Sequence, residues 1–377
     1  MSPPRGPIGW FPSALAPVQA AQGRIKAGNG RMNGKASEGQ DVGTAAVAEI
    51  RKLWQVDDEW SHNENRGFSW WGQDYRQRIW SEPGFVDEGI EVFRLHAETD
   101  FVRHVDLPEG EVLKRLGALN GFASTAAVVF DIAQRTVRLR SSMYVHEGTA
   151  SWVPHTFSTA AIIQPIEAQV RGQEFAQVLG GEPDVSSHPV SGHRSAMDDM
   201  LNVIEHVYAP LGQKEPPWAK SGEFEETAEL FNRSNSYSTA DRAGLTGEFA
   251  WGENQTSMMT SVLDQPHPQL GNGVLTRLNL PLSLDPEASA WLAGLLNQLE
   301  VKSLTRAHLL GAWCGAEAGG SHTGVFVSFM PNAMYKPGLL TQMLISLASR
   351  ARWAATVLKP DAKSGSVINI LSRRYLE

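Results

Sequence analysis

The stretch Gly67–Val105, GFSWWGQDYRQRIWSEPGFVDEGIEVFRLHAETDFVRHV, constrains this chain most, because its element order returns at Gly247–Leu282. Phe68–Trp71, Arg76–Trp80 and Glu91–Val102 read as three consecutive strands. In the second copy Gly244–Trp251, Thr256–Leu263 and Val274–Leu282 take the same places. After each third strand comes a helix that opens at a proline, Pro108 or Pro286, a residue tolerated in the first helical turn. Two further strands and a closing helix then complete each half. Sequence identity between the halves is slight, so the agreement lies in the order and length of elements, as expected of a diverged duplication.

Taken in order, Met1 to about Gln40 is rich in Pro, Gly, Ala and Ser and reads as disordered, with Met32 as an alternative first residue. A first helix is expected over Val42–Glu59, where Ala46, Ile50, Leu53 and Trp54 recur at helical spacing. Glu109–Leu119 is the Pro108 helix. Ser124–Ala133 and Thr136–His146 form a hairpin. In its second strand Val137, Leu139, Ser141, Met143 and Val145 alternate with Arg138, Arg140, Ser142 and Tyr144. Ser151–Leu179 is helical, with a kink or break expected at Pro165. The first unit is therefore 42–180. A connector over 181–221 carries a helix at Ser195–Val207 and a Pro-rich linker. The second unit, 222–358, opens with the helix Glu223–Asn232. Asp285 caps the Pro286 helix, His308–Ala316 and Thr323–Phe329 form the hairpin, and Gly338–Leu358 closes it. The tail 359–377 is polar apart from Val367–Leu371.

The 377 residues suffice for two domains, and 42% hydrophobic residues suffice for their cores. A net charge of −8 and a pI near 5.8 argue against a nucleic-acid surface, which needs clustered Lys and Arg. Arg138 and Arg140 on one strand face, and Arg350 and Arg352 in the last helix, read as solvated faces. The single cysteine, Cys314, excludes a disulfide scaffold and fits a reducing cytosol. Neither a signal-peptide pattern nor a run of about 18 apolar residues occurs, so a cytoplasmic chain away from membranes is expected. The twelve tryptophans read mainly as core.

The segments WWGQDYRQRIW (Trp70–Trp80) and FRLHAETDFVRHV (Phe93–Val105), set in this element order, resemble the type III secretion chaperone and YbjN-like fold. That family is built as α-β-β-β-α-β-β-α, a twisted antiparallel sheet backed by helices. The resemblance covers Val42–Leu179 and Glu223–Leu358 and is similar to the tandem members. It implies an α+β chain of two such units with a non-enzymatic, protein- or peptide-binding role, without cofactor or metal. It further implies either a monomer with an internal pseudo-dimer or a homodimer. An extended peptide pairing with an exposed sheet edge is one physical route to such binding.

No nucleophile elbow, phosphate loop or dinucleotide fingerprint is present. His96, Glu98 and Asp100 share one strand face and form one candidate acid/base or metal group, weighed against a solvated face. Cys314 with His322 is a second candidate, weighed against a buried thiol. Among the aromatics, Trp70, Trp71, Tyr75 and Trp80 are the candidate partner-binding residues. Trp70 and Trp71 must point to opposite faces, so one is expected in the core and one exposed as an anchor. A regulatory or assembly subunit is the alternative to a binding protein, with an enzyme behind both.

Overall fold

The computed structural model describes residues 40–122, 125–201, 218, 221–233, 237–241, 243–252, 255–267, 270–282, 284–303, 305, 307–315 and 323–358. The expected disordered N-terminus, the tail, residues 202–207 of the expected 195–207 helix and His322 lie outside them, and Ser195–Asp198 is not helical, the helical turn opening at Asp199. The fold is α+β, with two antiparallel sheets.

The first sheet follows helix α1 (Val42–Leu53). Asp41 caps that helix by accepting from the Thr44 amide at 2.8 Å, and it also accepts from both terminal nitrogens of Arg66, at 2.6 and 2.9 Å. The helix start is thus tied to the turn of the first hairpin. The helix stops before the expected Glu59, because Gln55 takes a positive φ of 49° and a short 3-10 turn, Asp58–Trp60, follows. Strands β1 (Ser61–Glu64), β2 (Gly67–Trp71), β3 (Arg76–Ser81), β4 (Phe85–Asp87) and β5 (Ile90–Arg103) come next. After α2 (Glu109–Leu119) come β6 (Ala127–Asp131), β7 (Thr136–Val145), α3 (Val153–Leu179) and β8 (Glu182–Pro183). The main path of the sheet runs β1-β2-β3-β5-β7-β6, with β4 and β8 paired to β5.

The second sheet follows α4 (Glu223–Arg233) and holds β9 (Tyr237–Asp241), β10 (Gly244–Gly252), β11 (Gln255–His267) and β12 (Gly271–Leu282). Then come α5 (Pro286–Lys302), β13 (Ala312–Cys314), β14 (Thr323–Pro331) and α6 (Leu339–Leu358). Its order is β9-β10-β11-β12-β14-β13, so the two sheets run through the same sequence of strands. β1 and β9 were not expected as strands. SHNE and YSTAD lack an apolar alternation, and each is held by hairpin pairing to the strand that follows.

Helix α3 runs through Pro165 without a break. A proline removes one amide donor and so frees the carbonyl four residues back. Here that carbonyl belongs to Ala161, and it accepts from Gln77 Nε2 on β3 at 2.7 Å. Gln77 also donates to Thr99 Oγ1, which donates to Gln164 Oε1 at 3.0 Å. The buried amides beneath the helix therefore take up what the proline leaves unpaired.

The helices cover one face of the first sheet, with Phe68, Trp70, Ile79, Phe93, Leu95, Ala97, Met143 and Val145 in a single apolar cluster with α1 and α3. Each of the larger of these side chains stabilises by about 1.5–3 kcal/mol on burial. The two sheets meet through α2 and α5. Gly117 of α2 lies against the Ala290 carbonyl, and Gly294 of α5 lies against the Leu113 carbonyl. A paired bridge between Ser142 and Leu309 joins β7 to the segment before β13. Arg350, expected on a solvated face, is fully buried in α6 because Glu300 of α5 forms an ion pair with it at 2.8 Å. Among the described residues no helix is long and apolar enough to cross a membrane.

Candidate functional site

Alternation along β3, β5 and β7 sends a second set of side chains to the face opposite α1 and α3. Strand register arranges them in rows: Trp71–Arg76 and Asp100–Arg138, joined by the Arg76–Asp100 ion pair, then Ser69–Arg78–Glu98–Arg140, then Trp80–His96–Ser142. Opposite charges directly across neighbouring strands attract, so this layer supports the sheet. Arg76 Nε lies 2.8 Å from Asp100 Oδ2, and Arg138 Nε lies 3.3 Å from Asp100 Oδ1. Glu98 is surrounded by Arg78 at 3.8 Å, Arg138 at 3.6 Å and Arg140 in close contact. Arg78 reaches across to Glu64 of β1 at 2.7 Å.

His96, Glu98 and Asp100 do share one face, but it is not a solvated one. Their side chains are 4%, 1% and 8% exposed. The arginine guanidinium groups around the two carboxylates neutralise them in this buried layer. No group of three or more metal-ligating side chains with suitable placement occurs among the described residues.

Trp80 is a half-buried aromatic of this face. Its ring stacks on His96 at 4.8 Å and 11°, and the Arg78 and Arg140 guanidinium groups lie 4.9 and 5.6 Å from its centre. Both distances fall within cation–π range. His96 Nε2 stands 2.9 Å from Glu82 Oε1. Burial pushes the His96 imidazole down to about 4; Glu82 opposes that shift, and the Arg94 and Arg140 charges add to it. His96 is therefore neutral at pH 7.

This has a measurable consequence. In the unfolded chain the imidazole titrates near 6.5, so as pH falls from about 6.5 to 4 the unfolded state takes up a proton that folded His96 refuses. Stability is full above pH 6.5 and declines across that window. His96→Gln should flatten the decline by up to about 1.4 kcal/mol per pH unit in urea titrations at stepped pH. His267 and His308, also pushed down to about 4 by burial, keep their own share of the decline in that variant.

The other three aromatic candidates are core. Trp70 faces α1, with its ring 5.4 Å from that of Trp54. Trp71 points to the opposite face, as alternation requires, but it is covered rather than exposed. The connector returns over it: His188 meets its ring at 4.9 Å, Ser186 Oγ accepts from its Nε1 at 3.1 Å, and Arg194 donates to its carbonyl at 3.0 Å. Tyr75 is buried against Gly172 of α3. Cys314 is buried in β13 and directs its thiol at the Val325 carbonyl, 3.4 Å away. Its suggested partner His322 lies outside the described residues.

The arginines Arg76, Arg78 and Arg94 escaped the sequence reading. Their signal was present: R-x-R at 76–78 and at 138–140 has the same two-residue period as Glu98 and Asp100. Pairing the three strands converts that period into charge complementarity. Comparison of the chain with known protein families, with curated proteins and with solved structures finds no match.

Proposed function

We propose that this chain is a non-enzymatic, chaperone-like protein that binds a protein or peptide partner, built from two tandem units of the secretion chaperone/YbjN kind. The observation that carries this reading is the shared strand order of the two sheets, β1-β2-β3-β5-β7-β6 and β9-β10-β11-β12-β14-β13. With α2 packed on α5 between them, such a pair of units forms within one chain the arrangement a homodimer makes from two. The partner lies on the face of the first sheet that α1 and α3 leave uncovered and uses Trp80 as its aromatic anchor. An aromatic flanked by two arginines offers large contact area together with hydrogen-bond donors, the composition enriched at interface centres.

The test compares wild-type protein with Trp80→Ala in affinity capture at native expression, quantified by mass spectrometry. Loss of a central anchor costs about 2 kcal/mol, so recovery of one dominant partner should fall by about thirtyfold. Unchanged circular dichroism would show that the variant still folds. Equal recovery by the two proteins, or nothing above background with either, would sink the reading.

A further inference from the structure

A groove of about 540 Å³ opens where α1 ends, beyond the β1 edge of the first sheet. It is within the range of ligand-sized sites and larger than one side chain. Trp54, Trp60, Met197 and Met200 form its apolar lining. Asp57 and Asp199, both exposed, stand at its rim, with Asp198 and Arg194 in its wall.

The wall is held in place. Arg194 donates to the Trp71 carbonyl at 3.0 Å, and the Asp198 amide donates to the Gly72 carbonyl at 2.9 Å. Asp57 is fixed by accepting from the Glu59 amide at 3.0 Å. The groove therefore needs little ordering when it is filled.

Its chemistry is displayed by one of its own residues. The Arg194 guanidinium sits 5.4 Å from the Trp60 ring centre and 3.0 Å from Asp198 Oδ2. Tryptophan and carboxylate together thus hold one guanidinium already. That pair is internally neutral. Asp57 and Asp199 remain, and neither has an ion-pair partner among the described residues. An anion or a nucleic-acid phosphate meets repulsion from both of these carboxylates.

We infer that this groove binds a cationic side chain, lysine or arginine, carried next to an apolar residue on an extended partner segment. The cation lies between Asp57 and Asp199 against Trp60, and the apolar neighbour packs on Met197 and Met200. The groove is separate from the Trp80 face, so the inference stands whether or not that face binds a partner.

The probe is a fluorescein-labelled hexapeptide of alternating arginine and leucine, with the glutamate–leucine hexapeptide as its charge-reversed counterpart. Binding is read by fluorescence polarisation at low salt. The arginine peptide should bind and the glutamate peptide should not. Asp57→Asn with Asp199→Asn keeps shape and capping, and should weaken binding by tenfold or more. Trp60→Ala should also weaken it, whereas Trp80→Ala should not. Glu225→Gln with Glu226→Gln removes equal charge from exposed positions on α4 and should leave binding unchanged. The inference is overturned if that control weakens binding as much as the groove pair does, since the attraction would then be diffuse. It is equally overturned if the arginine peptide fails to bind, or if Trp80→Ala abolishes its binding.

Discussion

Arg350→Met should lower the unfolding free energy by about 3–5 kcal/mol, the cost of leaving one partner of a buried ion pair alone. Both side chains of the Arg350–Glu300 pair are 0% exposed. Glu300 accepts from Arg350 Nε at 2.8 Å and from Trp313 Nε1 at 2.7 Å. Arg350 also donates to the His308 carbonyl at 2.9 Å, and its guanidinium carbon lies 3.6 Å from the centre of the Phe326 ring. Without the arginine the Glu300 carboxylate must ionise in an apolar surrounding or take up a proton. The effect reaches the first sheet, because His308 Nδ1 accepts from the Tyr144 amide and Leu309 pairs with Ser142. Adding Glu300→Leu to Arg350→Met should recover the part of the loss that comes from the unpaired charge, since an apolar pair of similar volume carries none. Trp313 Nε1 and the His308 carbonyl would still lack partners, each at a cost of about 1–3 kcal/mol, so recovery stays partial. Urea unfolding with an unchanged m-value is the measurement. A single-variant loss below about 1 kcal/mol would mean that water reaches Glu300 and that the pair is not dry.

The fold was legible where local chemistry and burial agree. Asp285 before Pro286 marks a helix start, and in the structure Asp285 accepts from the Ala288 amide at 2.9 Å. The alternation in β7 sent Val137, Leu139, Ser141, Met143 and Val145 to the helix-covered side, where all five are buried. Legibility failed where a residue's neighbour is distant in sequence. Arg350 looks like a surface arginine until Glu300 faces it. Pro165 looks like a helix breaker until Gln77 supplies a donor to the Ala161 carbonyl. Trp71 was correctly assigned to the face away from Trp70, yet the connector at 184–194 covers it, and no period within β2 reports that. The candidate group His96, Glu98 and Asp100 was placed on one face by strand period alone. Its burial under arginines required the register of three strands. The Arg194–Trp60 contact joins residues far apart in the chain, and neither lies in a repeating pattern.

Gly117→Val should cost about 3 kcal/mol, at the upper end for overpacking, because the added atoms meet backbone rather than a flexible side chain. A Cβ on Gly117 would stand 1.7 Å from the Ala290 carbonyl oxygen. That oxygen belongs to α5 and cannot turn aside as a side-chain tip does, so α2 and α5 must separate at their crossing. Gly110 provides the control on the same helix. Its Cβ would meet nothing closer than Trp291 Nε1 at 4.0 Å. There Gly→Ala is free to express helix propensity and should stabilise by up to about 1 kcal/mol. A general intolerance of α2 to side chains would make both variants destabilising, whereas a crossing effect gives them opposite signs. Gly294→Ala tests the same crossing from the other helix, since its Cβ would lie 2.1 Å from the Leu113 carbonyl oxygen. Combined with Gly117→Val, its cost should be less than additive, because helices already forced apart by one substitution have room for the other. Hydrogen exchange locates the separation independently. The Gly315 amide donates to the Gly117 carbonyl at 2.9 Å, so it should lose protection in Gly117→Val before the strands of either sheet do. Retained protection at Gly315 alongside a full stability loss would place the strain somewhere other than this helix crossing.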